Sequence, residues 1–237
     1  MTRVRIGLEN GIEGRSLAWA LDYPGCFAYG KDESEAVLNL PRAMVQYRDW
    51  IERHGEASWL GDLNEMDFAL VQVFEVYCID ENYENVPEGY EVNAWFQHDW
   101  KPLTAGEVER GLTLLSWSRQ DLLQLAADVP EGKMDVRLPG ERWSIRGVLE
   151  HVANAEWWYL DRLGLADRPR SALPADYVER LAFVRARLED ALPGLAGRED
   201  MVVGRDGEFW SPRKLLRRAL WHEKDHIGHI SRLILES

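Results

Sequence analysis

The first thirty residues alternate apolar and polar side chains between glycine-containing turns. The segments VRIGLENG, SLAWALDYPG and CFAYG carry this alternation, which has the period of a half-buried β-strand. The pattern predicts three short antiparallel strands between residue 4 and about residue 30. Farther along, FALVQVFEVY and YEVNAWF return to a strand-like pattern on either side of the polar, turn-forming segment IDENYENVPEG.

A helix is predicted between these two groups of strands. Asp32 and Glu35 fit a capping box, and the following segment VLNLPRAMVQYRDWIERHG has apolar residues at helical spacing. Pro41 lies inside that segment and predicts a kink or a later helix start, because proline lacks a backbone N–H and clashes with the preceding turn. Residues 1–100 therefore predict a small α+β domain with an antiparallel sheet.

From Thr104 onward the apolar period is helical. Thr104 and Glu107 fit a second capping box ahead of VERGLTLLSWSRQDLLQLAADV, and further helices fit residues 144–163, 174–192 and 211–235. The linkers, of about ten to twenty residues, indicate crossover connections as well as tight turns. The predicted class is α+β overall, with an all-α four-helix bundle over residues 101–237.

Two helix entries resemble each other. The segments GERWS (140–144) and GEFWS (207–211) lie 67 residues apart, and each leads into a helix. Ser144 and Ser211 are natural N-caps, and Pro212 occupies the first helical position, where its missing N–H costs nothing. In one interpretation each tryptophan only packs on its own helix. In the other, the two helices are structurally equivalent and line one site.

Charge divides the chain into two parts. Residues 1–100 hold 7 Lys and Arg against 19 Asp and Glu, while residues 101–237 hold 21 against 22. An acidic half repels phosphates and the other half has no basic stripe, so nucleic-acid binding is not expected. The acidic half is most simply a solvated face, and a surface for a protein partner is the alternative.

Targeting signals and cysteine motifs are missing from the sequence. No apolar run reaches the length of a signal peptide near the first residue or of a membrane span elsewhere, so a cytoplasmic protein without membrane contact is expected. Cys26 and Cys78 are the only cysteines and have no C-x-x-C spacing. They predict neither a disulfide framework nor a thiolate metal cluster.

The segment HEKDHIGH, residues 222–229, matches the H-E-x-x-H pattern of zinc proteases. His222 and His226 are four residues apart, so on a helix both imidazoles face the same way and can bind one divalent ion. The extended protease motif requires Gly at position 229 and His at 232, where this sequence has His229 and Arg232. Only eleven residues follow His226, so a downstream protease ligand is not expected.

A third ligand is therefore expected upstream. Of His54, His98 and His151, only His151 lies in a predicted helix of the second half, and we expect the other two at the surface. Two ligands on one helix and one on an equivalent helix suit a site inside a helical bundle. Three protein ligands leave a coordination position open. The alternative is that no metal binds and the histidines only form hydrogen bonds.

Several neighbouring residues have two interpretations each. Glu223 could act as a base, but a charge on the helix surface is the favoured interpretation. Asn154 lies one turn after His151 and could orient it or simply pack at a helix contact. His229 could approach the ion, although three ligands on one helix would crowd it. Trp158 and Trp221 could line a pocket, although aromatic residues at helical spacing usually form core.

Residues 104–237 resemble the DinB/YfiT-like four-helix bundles. The resemblance rests on WSIRGVLEH (143–151) and WHEKDHIGHI (221–230). It implies a divalent ion, zinc or nickel, on His151, His222 and His226. Some relatives are transferases or isomerases that use a low-molecular-weight thiol such as bacillithiol or mycothiol. The common H-H-R-G-Q ending is replaced here by Gly228-His229-Ile230-Ser231, which leaves substrate handling open.

Residues 4 to about 100 are similar to HicB-type antitoxin domains, on the strength of YPGCFAYG followed by DESEAVLNL. The resemblance implies the fold. It does not extend to the antitoxin role, because helical segments with metal-ligand spacing follow where a DNA-binding segment would stand.

The sequence thus predicts a metal-dependent protein that acts on a small molecule, with thiol transfer or isomerisation as the expected reaction. A non-catalytic stress-associated or regulatory module with a structural metal site and a protein partner is the alternative.

Overall fold

The chain folds into two compact units. A computed structural model describes residues 2–55, 58–61, 63 and 65–236. The sheet unit comprises Met1–Lys101 together with Gly204–Trp210, and the helical unit comprises Pro102–Val203 together with Ser211–Ser237. The sequence predicted a mixed α+β chain with strands first and helices afterwards, and this is confirmed. The return of residues 204–210 to the sheet unit was not predicted.

A four-stranded sheet with strand order β3-β2-β1-β4 forms the centre of the sheet unit. Its strands are β1 Thr2–Ile12, β2 Arg15–Ala20, β3 Phe27–Gly30 and β4 Met66–Glu75. The first three strands are antiparallel as predicted, but β4 pairs with β1 in parallel, so the prediction of an antiparallel sheet is wrong for β4. The reason is the long connection from β3 to β4, because parallel strands require a crossover rather than a hairpin.

The crossover contains α1, Glu33–His54, which packs on β1, β2 and β3. Asp32 caps it as predicted, since its Oδ1 accepts a hydrogen bond from the Glu35 N–H at 2.9 Å, and Glu35 reaches back to the Lys31 N–H at 2.7 Å. Pro41 lies inside the helix without delaying its start. The expectation of a later start was therefore wrong, and the two caps fix the helix start locally.

A second, smaller sheet has the order β6-β5-β7. Its strands are β5 Cys78–Ile79, β6 Asn85–Val86 and β7 Tyr90–Glu91. A strand was predicted over residues 90–96, but only the first two of these residues form one. The rest is held otherwise: the Ala94 N–H donates to Oε1 of the fully buried Glu9 at 2.9 Å, and Trp19 Nε1 donates to Glu9 Oε2 at 3.1 Å. Side-chain carboxylates therefore take the place of strand partners for the backbone N–H groups of Asn93, Ala94 and Phe96.

The returning segment forms a hairpin of β8, Val203–Arg205, and β9, Glu208–Trp210. Glu208 Oε1 accepts hydrogen bonds from the Asn93 N–H at 2.7 Å and the Tyr90 hydroxyl at 3.0 Å, and its Oε2 accepts one from Trp210 Nε1 at 2.7 Å. This side chain is buried, so these hydrogen bonds compensate the loss of its hydration.

Four long helices and one single-turn helix make up most of the helical unit. They are α2 Ala105–Ala127, α3 Glu131–Met134, α4 Ile145–Arg162, α5 Tyr177–Ala191 and α6 Pro212–Glu236. The four long helices lie where the sequence predicted helices, and α3 is an additional turn. Helix α2 packs on α6, and α4 packs on both α5 and α6. None of the described helices is both long and apolar enough to cross a membrane.

The helix starts follow the predicted caps. Thr104 and Glu107 form a reciprocal capping box, with the Thr104 N–H donating to Glu107 Oε2 at 2.8 Å. Ser144 Oγ accepts from the Gly147 N–H at 3.3 Å, and Ser211 Oγ accepts from the N–H three residues on at 3.1 Å. Helices α4 and α6, which carry the candidate ligands, therefore begin at equivalent serines.

Candidate metal centre

Three histidine side chains converge between α4 and α6. His151 lies on α4, and His222 and His226 lie one turn apart on α6. The His222 Nε2 atom is 3.0 Å from His151 Nε2 and 3.1 Å from His226 Nε2. One ligand nitrogen from each of the three lies within 4.8 Å of the other two. The predicted third ligand thus meets the i, i+4 pair across the contact between the two helices.

The spacing of these nitrogens suits one shared cation. A tetrahedral ion with metal–nitrogen bonds of about 2.0–2.1 Å keeps its ligand nitrogens about 3.3–3.4 Å apart. Hydrogen bonding alone satisfies the cluster poorly, because an imidazole nitrogen carries either one hydrogen or one lone pair, whereas His222 Nε2 faces two other nitrogens. One cation would accept a lone pair from all three nitrogens, so the donor set fits a divalent metal.

Burial keeps two of the candidate ligands neutral. His222 and His226 are each 8% exposed. Loss of hydration, reinforced by the neighbouring histidines, holds the pKa of His222 well below its usual range and lowers the pKa of His226 to about 3. At neutral pH both imidazoles are therefore unprotonated, which is the form that binds a metal ion.

Aromatic rings support two of the histidines. The Trp143 ring stacks on His151 with centroids 4.3 Å apart and an interplanar angle of 22°. A Cβ atom at Gly147 would lie 3.1 Å from the Trp143 Cβ, so the glycine leaves room for the indole to fold back along α4. Tyr159 meets His222 edge-on at 6.1 Å. The tryptophan before the helix cap therefore packs on its own helix, and it does so on a candidate ligand.

His229 contacts a different partner. Its Nε2 lies 2.9 Å from Glu141 Oε2, and the other oxygen of Glu141 accepts a hydrogen bond from Arg232 at 2.8 Å. Both contacts lower the pKa of Glu141, His229 having the larger effect. The ring of His229 is 5.8 Å from the ring of His226. His229 thus lies beside the three histidines and is oriented by a carboxylate rather than toward their common centre.

Beside the histidines lies a buried charge network of four residues, Arg119, Glu156, Arg185 and Glu223. All four are less than 10% exposed, so the favoured prediction of Glu223 as a surface charge is wrong. Arg119 contacts Glu156 at 2.8 Å and Glu223 at 3.1 Å, and Arg185 contacts Glu156 at 2.9 Å and also Glu223. Although burial alone would raise the pKa of Glu156, the two arginines lower it. The network links α2, α4, α5 and α6.

Comparison with protein families identifies part of the chain. Residues 114–230 match the DinB superfamily. This range includes the three histidines and all four residues of the buried charge network. The match does not reach the sheet unit, and no curated protein and no solved structure matches the chain significantly. The helical unit therefore carries a DinB-like domain.

The buried charge network of the DinB-like domain repeats with the helix entries. Glu156 and Glu223 are 67 residues apart, as are Ser144 and Ser211, and the two arginines are 66 residues apart. The guanidinium of Arg119 also reaches the Leu181 carbonyl oxygen at 2.5 Å, and that of Arg185 reaches the Leu115 carbonyl oxygen. Extending the noted 67-residue repeat into the helices would have revealed the two carboxylates.

The other predicted site residues of the DinB-like domain are placed as follows. Asn154 Oδ1 accepts a hydrogen bond from Arg180 at 3.3 Å, which favours the packing interpretation over ligand orientation. The Trp221 ring is buried with its centroid 5.8 Å from that of His222. Trp158 is half-buried beneath the guanidinium of Arg162.

Both remaining histidines lie in the sheet unit. His54 is half-buried and donates to the Trp50 carbonyl oxygen at 2.9 Å. His98 is buried, with Nε2 3.8 Å from Asp22 Oδ1, so the expectation of a surface position was wrong for it. His98 lies in the short 3₁₀ turn Gln97–Trp100, which directly follows the segment predicted as a strand and was itself not predicted.

Proposed function

We propose that His151, His222 and His226 bind a divalent metal ion, zinc or nickel, and that the DinB-like domain is a metal-dependent transferase or isomerase. We further propose that it acts on a small molecule with a low-molecular-weight thiol as cofactor. The observation that carries the metal proposal is the convergence of three histidine nitrogens, with neighbouring Nε2 atoms 3.0 and 3.1 Å apart. The DinB superfamily match covers all three histidines and supports a metal site in this domain.

The side chains around the ion have separate tasks in this proposal. When bound, the metal would supply Lewis acidity that lowers the pKa of a coordinated thiol or water. The three imidazoles, in their neutral form, bind the ion. The stacked Trp143 ring restricts rotation of His151. Glu141 orients His229 beside the centre, where its imidazole can contact a substrate. Burial of His222 and His226 keeps bulk water from the ligand side.

A non-catalytic module with a structural metal is the second candidate. It is favoured by the same burial, because two ligands exposed by only 8% leave limited access for a substrate. In this version the ion joins α4 to α6, and the sheet unit, which we propose to share the HicB-like fold, binds a protein partner. Leu70 and Val73 on β4 are more than 40% exposed and would lie at such a surface.

Metal content tests the shared part of both proposals. Protein purified without a chelator or a histidine tag is subjected to elemental analysis beside His151→Ala and a control, His54→Ala. We expect near-stoichiometric zinc or nickel in the wild type and the control, and loss of metal in His151→Ala. Metal retained equally by all three proteins, or absent from all three after attempted reconstitution, would refute the assignment of the three histidines.

Cobalt substitution separates the two candidates. A catalytic centre has an open coordination position, so an added low-molecular-weight thiol should shift the visible spectrum of the cobalt protein. A structural centre should show an unchanged spectrum together with a large fall in melting temperature on chelation, because an ion that binds only the folded state stabilises it by mass action.

A further inference from the structure

The buried charge network and the candidate ligands share two helices. Glu223 directly follows His222 on α6, and Glu156 lies five residues after His151 on α4. Each residue advances an α-helix by about 100° and 1.5 Å, so Glu223 and His222 leave α6 at nearly the same height in different directions. Each helix that supplies a metal ligand thus also supplies one carboxylate of the network.

The same two arginines hold both carboxylates. Arg119 on α2 contacts Glu156 at 2.8 Å and Glu223 at 3.1 Å, and Arg185 on α5 contacts both as well. A guanidinium is planar and its donors point at fixed angles. Two guanidinium groups shared between two carboxylates therefore leave α4 and α6 little freedom to rotate or slide relative to each other.

The proposed metal centre depends on that register. His151 and His222 approach within 3.0 Å across the contact between α4 and α6, and a slide by one residue would displace one of them by about 1.5 Å. Functional side chains must stay within about 0.5 Å of their productive geometry. Buried ion pairs contribute little net stability compared with apolar residues of similar volume, whereas some of them fix register. The position of the network suits the second role.

We propose that Arg119, Glu156, Arg185 and Glu223 are positioning residues, which hold α4 and α6 so that the three histidines converge before an ion binds. This inference rests on the proposed function. In it the network contacts neither the ion nor a substrate, and it acts on the ligands only through the two helices.

The test compares the Zn²⁺ affinity of Glu223→Gln with that of a matched control, Glu107→Gln. Glu107 also joins α2 to α6 through an arginine, with Arg213 donating to Glu107 Oε2 at 2.9 Å, but Arg213 lies in the first turn of α6, nine residues before His222. Affinity is measured on the full-length protein by competition with a chromophoric chelator, after circular dichroism has verified folding. We expect affinity about 10- to 100-fold weaker for Glu223→Gln. For Glu107→Gln we expect a change within about threefold.

Wild-type affinity in Glu223→Gln would overturn the inference, as would equal losses in both variants, which indicate general destabilisation. If Glu223→Gln does not fold, Arg119→Lys is measured instead, because it keeps the charge and removes the planar fork. Unchanged affinity there would again overturn the inference, and failure of both variants to fold would make the network a requirement for folding only. Absence of zinc binding by the wild type would instead refute the proposed function, so the two failures are distinguishable.

Discussion

Replacing Glu156 by alanine should strongly destabilise the helical unit. The variant loses three charged hydrogen bonds, two of 2.9 Å from Arg185 and one of 2.8 Å from Arg119. Both guanidinium groups then share Glu223 alone, and one buried positive charge stays uncompensated. Breaking a buried ion pair from one side costs about 3–5 kcal/mol. At about 2–4 °C per kcal/mol for a protein of this size, the melting temperature should fall by about 6–20 °C.

Urea denaturation followed by circular dichroism measures this loss, with an unchanged dependence on denaturant as the sign that the folded state is intact. The control is Glu131→Ala, which removes an ion pair with Arg146. Because the Glu131 side chain is 82% exposed, this variant should lose less than about 1 kcal/mol of stability. The double variant Glu156→Ala/Arg185→Ala should lose less than the sum of the single variants, because the two side chains interact directly. A loss below about 1 kcal/mol in Glu156→Ala would refute the assignment of a fully desolvated network.

Three further predictions concern single positions. Trp143→Leu should weaken Zn²⁺ binding by about tenfold, because the indole no longer supports His151, and chelator competition measures it; unchanged affinity would count against the support. In the presence of a chelator, His226 alone should lower stability by up to about 1.4 kcal/mol per pH unit as pH drops from 6.5 towards 3, because it takes up a proton more readily in the unfolded chain. His222 adds a loss of the same sign, so His226→Gln should reduce the slope without abolishing it in urea titrations at several pH values. Gly30→Ala should lower the melting temperature sharply, since its Cβ would lie 2.1 Å from a backbone nitrogen of α1, whereas the unobstructed Gly132→Ala should leave it nearly unchanged.

Helix positions could be predicted because their signals are local. Thr104 and Ser144 cap helices through N–H groups only three residues away, so the pattern that specifies each start lies within one turn of chain. The pairing of His222 with His226 follows in the same way from helical spacing. His151 could be added because it lies on the helix with the equivalent entry, and that helix packs on α6.

Sheet topology and buried charge could not be predicted, because both depend on partners far away in sequence. Alternation along β4 is the same whether it pairs in parallel or antiparallel, and only the path of the connection through α1 decides between them. Glu223 has the sequence context of a surface residue, and its burial depends on Arg119 and Arg185, which lie 104 and 38 residues away. The 67-residue repeat was the one signal that could have linked it to Glu156.

The Gly204–Trp210 hairpin has a consequence for the order in which the chain folds. Glu208 emerges from the ribosome only after α2, α4 and α5 have been made, although its Oε1 accepts hydrogen bonds from Tyr90 and Asn93 in the sheet unit. A fragment ending at Lys101 lacks the Glu208 carboxylate, whose Oε1 is the acceptor for Tyr90 and Asn93. During synthesis, the N-terminal unit therefore waits for the C-terminal third of the chain before its packing is complete, and its folding is a late, long-range event.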